Sequence, residues 1–195
     1  LIIVDDASTD DTAEVLSLIN DARMRVIVHD RNKGGGAARN TGINAAKGEL
    51  IAFQDSDDEW LDGKLQKQVA ALDEAGSDCV LAYCTKIVYG RDKHYTRGRR
   101  RCVCVPGPFK TVLSGDLADL LARMNVISTQ MIVARTKALQ EIGGFDTRLY
   151  NSHDWDLAIR LSQLGTFIFV DEPLVNTYIQ KDSISTLSRK APYSQ

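Results

Sequence analysis

Residues 48–60 read GELIAFQDSDDEW, an apolar run that ends in a knot of carboxylates. Leu50, Ile51, Ala52 and Phe53 lack polar alternation, the pattern of a short strand buried on both faces. Asp55, Asp57 and Asp58 follow directly. Two like charges ~5 Å apart at an effective dielectric of ~20 repel by roughly 3 kcal/mol. Gly, Asn or a single Asp makes a turn without that cost. Two explanations remain open. The carboxylates supply hard oxygen ligands for Mg²⁺ or Mn²⁺, whose other positions a diphosphate fills. Alternatively the segment is an acidic turn in which Asp57 or Asp58 caps the next helix.

The same grammar recurs outward from this stretch. Residues 1–4 form another apolar run, ending in Asp5-Asp6, and read as a buried strand. Ser8 and Asp11 have capping-box spacing before a helix with Val15, Leu16, Leu18 and Ile19 inward. Residues 24–28 read as a strand, 32–36 as a glycine-rich turn, 37–46 as a helix and 50–54 as a strand. A helix over 64–75 turns Leu65, Val69 and Leu72 inward and stops at Gly76. Residues 79–89 form the next strand. Helices are expected over 115–123 and 136–142, and strands over 130–133 and 166–170. Residues 155–164 form an amphipathic helix with Leu157, Leu161 and Leu164 on one side. This alternation predicts an α/β fold with a mainly parallel central sheet flanked by helices. Two acidic turns after strand C-termini mark that sheet edge as a ligand site.

Composition sets the outer bounds. The chain has 195 residues, 44% apolar and 26% charged, with net charge −2, which suits a globular protein and gives no global electrostatic case for nucleic acid. No apolar run approaches the ~20 residues that span a bilayer, and no signal-peptide pattern is visible. The chain starts at Leu1 without an initiator Met, so upstream sequence is expected. Cys79, Cys84, Cys102 and Cys104 are spaced C-x4-C and C-x-C. They read as reduced thiols, two in a strand and two in a loop or hairpin, with a structural zinc as the alternative. Arg91, Lys93, Arg97, Arg99, Arg100, Arg101 and Lys110 crowd residues 90–110, a loop or irregular hairpin. It is either a solvated connection or a surface for phosphate or an acidic acceptor.

Three segments in this order, LIIVDDASTDDT, NKGGGAARNTGINAAKGELIAFQDSDDEW and GGFDTRLYNSHDWDLAIRL, resemble the family 2 glycosyltransferases with the A-type nucleotide-sugar-binding fold. The resemblance covers roughly residues 1–185 and implies a Rossmann-like domain: 1–89 as the nucleotide-sugar and metal half, 90–125 as the basic loop and connecting helix, and 126–185 as the acceptor side. Residues 186–195 read as a frayed tail. By resemblance, Asp6 reads the nucleobase; the bare alternative is a helix-start aspartate. Residues 33–40, including Lys33, Gly35 and Arg39, line the nucleotide pocket, with Arg39 nearest it; alternatively the glycines make a plain turn. Asp55-Ser56-Asp57 is the D-x-D motif. Asp57 lies at the ribose and the metal, and Asp58 contacts the metal in some members. The metal set is thus Asp55, Asp57 and Asp58, binding Mn²⁺ or Mg²⁺. Asp154 matches the general base, or else is an N-cap only. The family more often has Glu where this chain has His153.

The implied activity is inverting transfer of a sugar from a nucleotide diphosphate, most often a UDP-sugar, to a hydroxyl of a glycan or lipid-linked acceptor. Nucleic acid is not expected as a partner. A cytoplasmic location with peripheral membrane contact is expected. The family normally begins with one more strand and helix, so a chain starting at Leu1 is expected to bind donor weakly and to expose residues 1–4 as a sheet edge prone to association. An inactive sugar-nucleotide-binding fragment is the alternative, with a nucleotidyltransferase behind it. The Gln-x-x-Arg-Trp motif of processive synthases is missing from the sequence, which favours single addition.

Overall fold

The computed structural model describes residues 1–91, 100–106, 113–149 and 151–179, the side chains of 91 and 100–103 excepted. The elements run β1 (Ile2–Asp5), α1 (Thr12–Ser17), β2 (Arg25–Val28), α2 (Gly35–Ala45), β3 (Leu50–Ala52), β4 (Asp58–Trp60), α3 (Lys64–Ala75) and β5 (Cys79–Arg91). They continue with β6 (Arg100–Val105), α4 (Ala118–Leu121), a 3-10 turn (Thr129–Met131), β7 (Val133–Arg135), α5 (Thr136–Glu141), α6 (His153–Leu161) and β8 (Thr166–Tyr178).

The α/β class holds, but the sheet is mixed rather than mainly parallel. Ladders β1–β2 and β5–β8 are parallel. The ladders β3–β7, β4–β8, β5–β6 and β5–β7 are antiparallel. The cause is local. The acidic turn runs straight into β4, which lies against β8, so neither Asp57 nor Asp58 caps α3, whose N-cap is Gly63. Residues 100–105 return along β5 as a hairpin arm. The 3-10 turn Thr129–Met131 takes up most of the strand expected over 130–133, and β7 begins only at Val133. The rest of the basic 90–110 stretch and the tail 186–195 lie outside the described residues.

β1 and β2 form their own two-stranded sheet, and among the described residues no ladder joins β1 to β3. Residues 2–4 are half-buried, less than expected, because among the described residues β2 alone pairs with them. α2 links the two sheets. Gly42 faces Val4 on one side, and Asn40 hydrogen-bonds both backbone groups of Phe145 on the other. The expected Ser8–Asp11 capping box does not form. Asp10 accepts from Thr12 instead, at both its N–H and its hydroxyl, and Asp5 accepts from the Ser8 N–H.

The main core joins one face of the sheet to α4, α5 and α6 through Leu81, Tyr83, Leu121, Leu139, Leu157, Leu161 and Phe167. Burying Leu157 and Leu161 stabilises by roughly 1.5–3 kcal/mol each. A second cluster, Leu72, Cys79, Ala82 and Val133, lies under α3. That helix departs from its apolar reading. Leu65 is exposed and Val69 half-buried, while Lys64, Gln68 and Leu72 face inward at i, i+4 and i+8. The Gln68 amide donates to Ala82 O and Met131 O, and the Lys64 ammonium sits over the Trp60 ring at 4.4 Å. Cys79, Cys84 and Cys104 are free thiols.

Candidate active site

Asp6 follows β1 and organises the glycine-rich turn. Its carboxylate accepts from the N–H groups of Lys33 (2.9 Å) and Gly34 (2.7 Å) and contacts His29 Nδ1 at 2.6 Å. Burial alone would raise its pKa, but the His29 hydrogen bond and the two N–H groups outweigh it and hold the carboxyl below its usual range. The far ring nitrogen of His29 meets Thr41 Oγ1 at 2.9 Å, so β2, α2 and Asp6 are held as one unit. Gly34, at φ +88°, starts α2 in a conformation glycine adopts without strain. A β-carbon on Gly35 would sit 3.2 Å from Arg39 Nη1, so Gly35 leaves room for Arg39 to fold back. The exposed Lys33 side chain pairs with Asp30.

Arg39 reaches the acidic turn. Its Nη2 donates to Asp55 at 2.5 Å, and its guanidinium lies 5.6 Å from the Phe145 ring centroid. Asp57 is exposed. Asp58 opposes Thr177, and Thr177 opposes Val88; two residues along, Trp60 opposes Val175, and Val175 opposes Lys86. Cross-strand partners share a face and alternate residues along a strand return to it. Asp58 and Lys86 therefore project from the same face, diagonally across β8. The pKa of Asp58 is pushed up to about 6, by burial first and then by Asp55 and Asp57, while the Thr177 hydrogen bond and Lys86 pull the other way.

Asp154 lies in the first turn of α6, where the helix dipole favours a carboxylate. Its Oδ1 accepts from the Trp155 N–H at 2.8 Å and from Asn125 Nδ2 at 3.3 Å. Burial raises its pKa, and the charge of Lys86, the Trp155 N–H, Arg39 and Asn125 act against that rise. The Trp155 indole donates to Leu121 O at 2.6 Å, fastening α6 to α4. His153 packs over Gly36, where a β-carbon would lie 3.2 Å from its Cδ2. Among the described residues two non-glycine residues adopt positive φ, Ala7 at 60° and Ser152 at 58°. They adjoin Asp6 and the His153-Asp154 pair, where backbone strain often collects in functional sites.

The common point is Lys86, which the sequence reading missed. It is 4% exposed, and its Nζ donates to Ser128 Oγ at 2.8 Å. Burial lowers its pKa, while the charges of Asp154, Asp58 and Asp55 raise it. One buried ammonium thus lies within the electrostatic reach of the proposed base and of two D-x-D-region carboxylates. A charged residue interrupting the apolar run of β5 was the available signal. Asp6, Lys33 and Gly35 belong to the adjoining glycine-turn unit, tied to this centre through Arg39.

The donor set suits a loosely held divalent ion. Among the described residues no three His, Cys, Asp or Glu side chains stand together as a metal cage. Mg²⁺ and Mn²⁺ bound with a diphosphate need only one or two carboxylates. Asp57 is exposed, and Asp55 is half-buried and paired with Arg39; these two are the candidate ligands.

Comparison with known proteins points one way. The model for glycosyl transferase family 2 matches residues 1–143. The amylovoran biosynthesis glycosyltransferase AmsB of Erwinia amylovora is 31% identical over 186 residues, covering 92% of this chain and 60% of that protein. The Escherichia coli UDP-Glc:alpha-D-GlcNAc-diphosphoundecaprenol beta-1,3-glucosyltransferase WfaP is 29% identical over 136 residues, covering 70% of this chain and 49% of that protein. With the succinoglycan biosynthesis protein ExoO of Rhizobium meliloti, matched over 22% of its length, the chain spans from about a fifth to three fifths of these curated relatives. The structure of S. aureus TarS 1–349 in complex with UDP-GlcNAc superposes with a TM-score of 0.73 at 22% identity, over 95% of this chain and 51% of that one. A Pyrobaculum calidifontis mannosyltransferase in complex with GDP-Man and Mn²⁺ superposes at 0.66 and 16% identity, over 95% of this chain and 49% of that one. The fold is that of these A-type glycosyltransferases.

Proposed function

The chain belongs to glycosyl transferase family 2, and from that premise we propose that it transfers a sugar, with inversion, from a nucleotide diphosphate to a hydroxyl of a glycan or lipid-linked acceptor. The observations that support this reading are the shared sheet face of Asp58 and Lys86 and the Arg39–Asp55 bond that ties the glycine-rich turn to the acidic turn, with the charge of Lys86 acting on Asp154 as well.

Asp154 accepts the proton of the acceptor hydroxyl as its oxygen attacks the anomeric carbon. The new C–O bond forms while the bond from that carbon to the diphosphate oxygen breaks on the opposite face, and the diphosphate leaves with the electron pair. Burial makes Asp154 a stronger base than an ordinary carboxylate, and Lys86 keeps its ionised form accessible. Asp57 and Asp55 would hold a Mn²⁺ or Mg²⁺ ion, whose chemistry there is Lewis-acid stabilisation of the departing diphosphate. Asp6 faces the nucleobase and shapes the pocket through the Lys33 and Gly34 N–H groups, and Arg39 sets the position of Asp55. Uridine is the proposed base, in keeping with the UDP-GlcNAc bound by TarS. The diphosphoundecaprenol acceptor in the name of WfaP supports a lipid-linked acceptor. No described helix is long and apolar enough to cross a membrane, and action in the cytoplasm at the membrane surface fits such an acceptor.

The test is Asp154→Asn in the full chain, screened against nucleotide sugars with and without Mn²⁺, with nucleotide binding followed by calorimetry. Turnover is expected to fall roughly 10²–10⁴-fold, the usual worth of a positioned base, with nucleotide affinity unchanged. Unchanged turnover removes Asp154 from the mechanism, and a parent chain that binds nucleotide without turnover is a binding module.

A further inference from the structure

We propose that Lys86 is a positioning residue, a fixed internal cation that holds the D-x-D turn against Asp154 and opposes divalent-ion binding until a nucleotide diphosphate arrives. Its kinetic consequence rests on the transferase reading above; its metal-binding consequence does not.

The placement is specific. Lys86 is anchored to Ser128 Oγ at 2.8 Å and shares a sheet face with Asp58 through the β5–β8–β4 register. Thr177 stands between them and also accepts from Gln130 Nε2 at 3.1 Å, so the polar row across the sheet is fixed from two sides. Asp154 stands in the first turn of α6, oriented by the Trp155 N–H and Asn125, and the charge of Lys86 acts on it. Asp55 approaches from the turn and is already paired with Arg39. A lysine is seldom as buried as this unless it is paired, and a leucine or methionine would fill the same space without desolvating a charge. An ammonium with three donors on a flexible stem can face several acceptors at once, which a planar guanidinium does less readily.

Two consequences follow. Without a nearby cation, Asp55, Asp58 and Asp154 would repel one another and the base would drift from the donor turn. With Lys86 in place, a lone divalent ion meets a positive charge beside its carboxylate ligands and binds weakly. A nucleotide diphosphate adds negative charge and phosphate oxygens that favour the ion, so ion and donor bind together.

The test compares Mn²⁺ binding, by paramagnetic resonance of the free ion, in parent, Lys86→Met, Lys86→Gln and Lys86→Arg chains, each with and without UDP. The parent is expected to bind Mn²⁺ at least tenfold more tightly with UDP than without. Lys86→Met and Lys86→Gln are expected to tighten nucleotide-free Mn²⁺ binding at least fivefold. They should lower kcat at least tenfold while moving donor KM less than threefold. Lys86→Arg keeps the weak nucleotide-free binding and recovers part of kcat. The glutamine variant retains a donor for Ser128, so it serves where the methionine variant fails to fold. Nucleotide-free Mn²⁺ binding that is unchanged or weaker in a folded neutral variant overturns the proposal, as does a parent whose Mn²⁺ affinity ignores UDP. A parent with no turnover counts against the transferase reading alone, because the Mn²⁺ comparison still decides the role of Lys86.

Discussion

Asn40→Ala tests how the donor side of the site is fastened to the base side. The Asn40 side chain donates from Nδ2 to Phe145 O at 2.8 Å and accepts at Oδ1 from Phe145 N at 2.7 Å. Each bond is worth about 1 kcal/mol net. Phe145 is only 2% exposed, so removing the amide leaves two backbone groups with little water to replace it. The summed loss is about 3 kcal/mol, a large share of the ~5–15 kcal/mol that holds a typical domain together. At this chain length it lowers Tm by roughly 6–12 °C, read by circular dichroism and checked by urea titration. The Phe145 ring also meets Phe53 edge-on at 5.4 Å and lies under Arg39, so donor KM should rise as Arg39 loosens from Asp55. Asn40→Asp keeps the acceptor but sets a carboxylate against the Phe145 carbonyl. It should be as harmful at pH 7 and recover partly near pH 4, where a protonated carboxyl can donate. An Asn40→Ala chain melting within about 2 °C of the parent would refute this account of how α2 is tethered.

Lys64 gives a stability-versus-pH signature. Burial pushes its ammonium down to about 8, against a weaker upward pull from Cys84. The folded state then holds this proton less tightly than the unfolded state, so its contribution to stability rises as pH climbs from about 8 towards 10.5. Lys64→Met should therefore melt above the parent at pH 7, by up to roughly 3 kcal/mol before the lost contact with Trp60 is subtracted. That advantage should fade by pH 10.5, and one that stays constant with pH would contradict the assignment. Gly36→Ala drives a β-carbon against the His153 ring and should lower transfer rate by shifting His153-Asp154. Adding His153→Ala removes the clash and lets the ~1 kcal/mol helix preference of Ala over Gly appear as a raised Tm, measured as a double-mutant cycle.

Much of the candidate site is legible in the sequence because its residues cluster there. Asp55, Asp57 and Asp58 come from one turn, residues 33–40 from another, and Asp154 opens a helix whose Leu157 and Leu161 repeat correctly. Strand partners were less legible, because an apolar run records burial but not direction; hence the mixed sheet. α3 was misread because polar side chains occupy its inner face, where Gln68 satisfies the backbone of β5 and of the 3-10 turn. Lys86 was passed over because its meaning comes from Ser128, Asp58 and Asp154, distant in sequence and gathered only by the β5–β8 ladder and the seating of α6.

The acidic turn now has a physical answer that does not begin with a metal. Asp55 is neutralised by Arg39 from α2, Asp58 is opposed by Lys86 from β5, and Asp57 faces solvent. Repulsion of roughly 3 kcal/mol per close pair is offset by two cations that the fold brings from separate elements. Both also act on Asp154. The charges that make the turn tolerable are therefore also charges that act on Asp154, and exposed Asp57 is the carboxylate that the proposed function gives to an ion arriving with its diphosphate.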